Sequence, residues 1–366
     1  GQVIAGLACD QAALEALVGL DDARRIWAMT LEGVDIIRAR RERFGIDCDW
    51  QPGYLAVAVT AKKARELRRW HDDMARAYGF ESEWIAPSEL PRWIDSPRFH
   101  SAVHDPRGGH LHPLAYSLGL ARAAAQLGVQ VHEHSAVTQL DATRRDEPRL
   151  RTAQGEVRAR KVLLAGNVYL HGIVPALDAR IMPVGTYMVA SEPLAPALAH
   201  SLIPSQAAVS DTNFVLDYFR TTPDHRMLFG GRISYSTATP RNLEASMQRR
   251  MAATFPQLEG TRIDYAWGGF VDITMNRAPD FGRLSTVVDD ARRPGLANVY
   301  YLQGFSGHGL ALTGLAGRVV AEAMHGHSER FDTFARIRHR AFPGGRLLRM
   351  PALVAGMAYY RLRDLL

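Results

Sequence analysis

Gly304, Gly307 and Gly309 stand close together, with Ser306 and His308 between them, where an apolar strand pattern meets an amphipathic helix pattern. Val299, Tyr300, Tyr301 and Leu302 have the β-branched and aromatic bias of a buried strand, and Leu310, Leu312, Leu315, Val319 and Ala323 recur at helical spacing. Glycines in such a turn permit positive φ and close backbone approach. The turn then directs several backbone N–H groups, and the positive end of the helix dipole, at whatever lies above it. That arrangement suits an electron-rich group of a cofactor.

Two familiar motifs nearly fit this segment and fail. A hydrolase nucleophile elbow would need glycine at 308, where the chain has His308, so Ser306 is a poor nucleophile. A dinucleotide fingerprint would need glycine where Leu312 stands, and no apolar second strand follows. His110 with His112, and His132 with His134, have an i,i+2 spacing that metals can use, but no cysteine or acidic ligand cluster accompanies them, and no metal is expected.

The elements that must position the loop follow from periodicity. Asp10 can cap a short helix reaching Leu20, and Asp21-Asp22 open a longer one to about Phe44 with Ile26, Met29, Val34 and Ile37 as its stripe. Tyr54 to Val59 reads as a strand, Lys62 to Tyr78 as a charged surface helix, and 88–104 as mixed and irregular, ending in an apolar-alternating stretch before Asp105-Pro106. Pro113 begins a crossover helix through Leu114, Leu118, Ala121, Ala125 and Leu127; Val129 to Val137 reads as the next strand, and Val162 to Leu164 as an apolar strand before Ala165-Gly166. Between Met182 and Met275 the texture changes to alternating strands with one helix, Leu243 to Phe255.

Composition bounds the class. The chain has 366 residues, nearly half of them hydrophobic, enough for two domains with a substantial core. Its net charge of +6 is spread over scattered arginines without a basic-aromatic array, which argues against nucleic-acid binding. Cys9 and Cys48 alone cannot build a disulfide framework and suit a reducing, cytoplasmic compartment. No run approaches the roughly 18 apolar residues of a membrane span. The tail 346–366 interleaves leucines with arginines, and reads as a helix docked on its own protein, on a second subunit of a homo-oligomer, or on a membrane surface.

The GFSGHG segment resembles the C-terminal flavin loop of the D-amino-acid-oxidase and sarcosine-oxidase superfamily, most closely the γ-glutamylputrescine oxidase branch, and the Phe342 region is also reminiscent of that branch. The resemblance implies FAD above Gly304, Phe305, Ser306, Gly307, His308, Gly309 and Leu310, with Gly1, Gln2, Val137, Ala165 and Gly166 also beside it. Where relatives tether the flavin through a cysteine this chain has Val271, and a non-covalent flavin is expected by that route. The implied reaction oxidises an amine C–N bond to an imine, which water hydrolyses to an aldehyde and a free amine, with oxygen or another acceptor taking the electrons. For γ-glutamylputrescine, Arg232 and Arg277 are candidate partners of the substrate carboxylate, His308 a candidate positioning group, and Tyr187, Tyr218, Trp267 and Phe270 a candidate aromatic wall, although strand aromatics also serve simply as core. Relatives that use a lysine to promote reaction with oxygen find no match in Lys62, Lys63 or Lys161.

The implied fold is α/β plus α+β: a Rossmann-like flavin domain, incomplete at its N-terminal side, interleaved with an antiparallel-sheet substrate domain. The flavin domain is expected at 1–50, 105–175 and 276–345, the substrate domain at 51–104 and 176–275, and the helical tail at 346–366. Family members carry a βαβ unit with a GxGxxG turn before the point where this sequence starts. Two expectations follow: the protein has such a unit ahead of Gly1, or the chain is a fragment that holds FAD poorly and serves a non-catalytic role. Within enzymes, the alternative substrate is another secondary amine or an amino acid.

Overall fold

The computed structural model describes residues 1–170, 172–234, 240 and 242–343, with side chains described throughout except at 232–234. The tail expected at 346–366 lies outside these residues. In chain order the elements are β1 (Gln2–Val3), α1 (Gln11–Val18), α2 (Leu20–Phe44), β2 (Gln51–Ala58), α3 (Ala61–Tyr78), β3 (Glu83–Ile85), β4 (Ser101–His110) and α4 (Pro113–Gln126). Then follow β5 (Gln139–Asp141), β6 (Arg149–Arg151), β7 (Glu156–Arg158), β8 (Val162–Leu164), α5 (Pro175–Asp178), β9 (Ile181–Ser191), α6 (Pro196–Leu202), β10 (Ala208–Asp211) and β11 (Tyr218–Thr221). The last are β12 (Met227–Ser234), α7 (Leu243–Thr254), β13 (Ile263–Thr274), β14 (Asp280–Arg283), β15 (Val299–Gln303), α8 (Gly309–Met324) and α9 (Glu329–Ala335).

Among the described residues the largest sheet runs β1-β4-β2-β10-β11-β12-β9-β13, with β3 added on β4. The β10–β2 pair is parallel, and the long β9–β13 pair is antiparallel along its whole length. One face buries Leu55, Val57, Val189, Phe219 and Phe229 against Leu243, Met247 and Met251 of α7. A second sheet, β14-β15-β8, carries the loop: alternation along β15 sends Tyr300 and Leu302 into a core with Leu312, Leu315 and Val319 of α8 and Ile26 of α2. Val299 and Tyr301 face the other side, with Leu140 and Leu164. Gly33 lets α2 lie close on α8, since a Cβ there would stand 3.0 Å from the Ala311 carbonyl oxygen. The stripe of α2 is buried as its spacing predicts.

Two sequence expectations need correction. No strand forms over 129–137, and Val129 and Val131 are exposed, because a strand needs a hydrogen-bonding neighbour and none lies alongside among the described residues. α4 forms where expected but turns the other way: Leu114, Leu118 and Leu127 are exposed, while Tyr116, Gly119 and Ala123 are buried. The alternating stretch before Asp105-Pro106 is the start of β4, which runs on through that pair at a bulge where the register against β2 shifts between Pro52 and Tyr54, a position where a missing N–H breaks no ladder bond.

Candidate active site

β15 ends at Gln303 and the chain turns through Gly304 at φ 76°, Ser306 at φ 51° and Gly307 at φ 91° before α8 begins at Gly309. No side chain caps the first turn of α8. Nothing lies within 4 Å of where a Cβ on Gly307 would stand, so the backbone there is open to a ligand. Ser306 is buried, its hydroxyl donating to the Gly304 carbonyl at 3.2 Å, which is no geometry for a nucleophile.

Part of the loop's donor capacity goes to a residue the motif reading passed over. Asp272, near the end of β13, accepts the Gly304 N–H on its carboxylate and the Ser306 N–H on its backbone carbonyl at 3.0 Å. Its side chain is almost completely buried, and burial, opposed by backbone N–H groups of the loop, raises its pKa to about 6. A lone acid between the apolar Val271 and Ile273 is the local sign that could have flagged it.

His308 is half-buried at the loop's outer end, and burial, reinforced by the positive charge of Arg277, pushes its pKa down to about 4. It is neutral at pH 7. Arg277 holds a left-handed conformation (φ 60°) in the turn after β13, its guanidinium stacked 5.1 Å from the Phe214 ring centroid. The structure thus places Arg277 near enough for its charge to bear on His308. Arg232 follows a bulge at Gly231 in β12, paired with Tyr187; its side chain lies outside the described residues.

The expected aromatic wall divides between the two faces of the large sheet. Ladder pairing sets Tyr218, Gly230, Met188 and Trp267 in one cross-strand row. Gly230 is required there, because a Cβ would stand 2.3 Å from the Tyr218 ring and from Met188 Sδ. Trp267 is 45% exposed on this open face. Tyr187 belongs to the core on the opposite face, and Phe270, an odd number of residues from Trp267, shares the parity of Tyr187.

Elsewhere, Gln2 pairs with His110 of β4 and the Gly1 carbonyl takes the Leu111 N–H at 2.9 Å, with Gln2 Nε2 donating to the Val209 carbonyl at 2.9 Å. Val137 is half-buried in the segment without a strand, and Gly166 turns the chain after β8 beside Ala165. His110 is buried and its Nε2 meets the Gln206 carbonyl at 3.1 Å, His112 receives the Ala115 N–H in the first turn of α4, and His132 and His134 are exposed. Lys63 contacts Thr212 and Asn213, and Lys161 reaches the Met324 carbonyl.

An uncapped helix entered through an open glycine turn, set against the end of a large mixed sheet, offers backbone donors to an electron-rich group. The chain belongs to the FAD dependent oxidoreductase family, whose profile matches residues 1–323. It is 42% identical over 365 residues to γ-glutamylputrescine oxidoreductase of Escherichia coli (strain K12), covering 100% of this chain and 83% of that protein. It is 36% identical over 352 residues to the probable oxidoreductase OrdL of Haemophilus influenzae, covering 95% of this chain and 78% of that one. In fold it is similar to glycine oxidase from Geobacillus kaustophilus, with a TM-score of 0.71 at 21% identity over 93% of this chain and 90% of the other. The chain is an FAD-dependent enzyme acting on C–N bonds of amines or amino acids. Among the described residues no helix is long and apolar enough to cross a membrane.

Proposed function

We propose that the chain oxidises γ-glutamylputrescine, that the loop 304–310 holds FAD, and that the substrate lies between that loop and the open sheet face at Tyr218, Met188 and Trp267. The identity of 42% with γ-glutamylputrescine oxidoreductase, extending over the whole of this chain, carries the substrate reading. When bound, FAD supplies the acceptor for the hydride leaving the amine carbon. The chain's own work is orientation and exclusion of water. Tyr218 and Trp267 give the cavity a wall, Arg277 binds the carboxylate of the amino-acid head, and His308, uncharged at pH 7, places a hydrogen-bonding ring beside it without adding charge. The resulting imine is hydrolysed by water to an aldehyde and a free amine. On this reading the elements 1–50, 105–175 and 276–345 serve the flavin, and 51–104 with 176–275 serve the substrate.

An anaerobic absorption titration with γ-glutamylputrescine, putrescine, sarcosine and glycine tests the proposal. Flavin bands should bleach fastest with γ-glutamylputrescine; bleaching by glycine or sarcosine while γ-glutamylputrescine leaves the bands intact would overturn it. Losing a charge-assisted hydrogen bond of roughly 1.5–3 kcal/mol, Arg277→Ala should raise KM for γ-glutamylputrescine about tenfold or more, and that for an uncharged amine much less. Equal effects on both would remove Arg277 from carboxylate recognition.

A further inference from the structure

β13 belongs to the large sheet, yet its last residues are tied to the glycine loop of the other sheet by a set of buried contacts. The Asp272 carboxylate takes the Gly304 N–H, and its carbonyl takes the Ser306 N–H at 3.0 Å. Two residues on, the Thr274 N–H donates to Ser306 Oγ at 3.4 Å, and Thr274 Oγ1 donates to the Ala278 carbonyl at 2.7 Å. Gly304 is packed so closely that a Cβ would stand 2.4 Å from Thr274 Cγ2. The loop therefore rests on the strand.

Asp272 is 2% exposed. Its partners are neutral backbone donors. Across the ladder β9 offers Pro183, while the loop carries His308 and the turn after β13 carries Arg277, whose guanidinium lies on Phe214. A carboxylate in this position does two separable things. By hydrogen bonding it fixes the direction of the Gly304 peptide, which decides where the following N–H groups point. By charge it opposes the arrival of further negative charge nearby, in surroundings of low dielectric.

We propose that Asp272 is the positioning residue of the cofactor loop: it orients the backbone donors of 304–310 toward FAD and, through its charge, sets how readily the bound flavin accepts electrons. This rests on the placement of FAD over the loop in the proposed function, but not on the identity of the substrate. It also gives the sheet that forms the substrate wall a direct mechanical connection to the flavin site.

The test uses the full protein with Asp272→Asn and Asp272→Ala, and reads FAD affinity by titrating the apoprotein and flavin midpoint potential by equilibration with a reference dye. Asn keeps an acceptor for Gly304 N–H and removes the charge. Asp272→Asn should hold FAD within about threefold of wild type and shift its reduction toward more positive potential, on the order of tenfold in the equilibrium constant, about 30 mV for a two-electron couple. Asp272→Ala loses the hydrogen bond as well, and its FAD affinity should fall about tenfold or more. An unchanged potential in Asp272→Asn overturns the electrostatic role, and unchanged FAD affinity in a folded Asp272→Ala overturns the positioning role. If Asp272→Ala fails to fold, the potential of Asp272→Asn decides. Gly307→Ala, at the open end of the loop, separates the two readings. If it disturbs FAD binding while both Asp272 variants behave as wild type, only the present inference falls; if none of the three variants does, FAD does not lie over this loop.

Discussion

Two stretches of this chain join a helix to an apolar strand pattern, and they fare differently. In 299–324, the strand β15 is paired on both sides and α8 is sandwiched against α2, so Leu315 is 0% exposed. In 113–164, α4 forms but shows its leucines to solvent, Leu118 being 50% exposed, the following segment makes no strand, and Leu163 on the edge strand β8 is also exposed. Both stretches satisfy the same periodicity. What differs is the partner: α4 packs through Tyr116, Gly119 and Ala123, where Gly119 admits Ile46 so closely that a Cβ would stand 2.3 Å from Ile46 Cγ2. An amphipathic stripe states that a surface needs covering, and the cover has to come from elsewhere in the fold.

Replacing one leucine in each helix gives the largest expected contrast. Leu315→Ala should cost about 2–5 kcal/mol in urea unfolding, from lost transfer energy and the cavity left behind. Leu118→Ala should stay within about 0.5 kcal/mol, as surface substitutions do. A cost for Leu118→Ala approaching that of Leu315→Ala would break the comparison, showing that this face of α4 is covered in the protein in solution.

A pair of glycines sharpens the same contrast. Gly128, after α4, has φ 86° with nothing within 4 Å of where a Cβ would stand, whereas Gly304 has φ 76° and the Thr274 methyl in the way. Gly128→Ala should therefore cost only the conformational penalty, about 1 kcal/mol. Gly304→Ala adds a clash to that penalty, for about 2–3 kcal/mol in all, and should weaken FAD retention as the loop shifts. Differential scanning of both variants, with and without added FAD, checks this. Equal losses would mean that Thr274 yields without moving the loop.

The loop, its strand and its helix were legible in the sequence because each depends on neighbours within a few residues: alternation in 299–303, helical spacing in 310–323, and glycines between. The stripe of α2 was legible for the same reason. Asp272 was not, because its significance depends on a contact with Gly304, 32 residues away, that only the packing of β13 against the loop creates. The aromatic wall lies between these cases. Its strands were readable, and the odd separation of Trp267 and Phe270 already puts them on opposite faces, yet which face is covered by α7 and which stays open depends on the third dimension. Arg277 and His308, 31 positions apart, likewise come within electrostatic reach only through that packing.

The smallest effect, and the most specific to the loop side, is in the pH dependence of stability. Asp272 has its pKa raised to about 6 by burial, so between its unfolded value near 4 and 6 the folded protein binds more protons than the unfolded one. Stability from this group is then full below pH 4 and declines as pH rises through 6. His308 works in the opposite sense: held down to about 4 by burial and Arg277, it binds fewer protons folded than unfolded below its usual 6.5, so stability falls as pH drops from 6.5 toward 4. The two slopes oppose one another across the same window and flatten the wild-type profile. Asp272→Asn removes one of them, so the stability of the variant relative to wild type should increase between pH 4 and pH 7, by on the order of 1–3 kcal/mol. His308→Gln should do the reverse, gaining on wild type as pH falls. Unfolding midpoints of the three proteins at pH 4.5, 5.5 and 7 read both slopes directly, and parallel profiles would mean that neither group is shielded from water as the loop geometry requires.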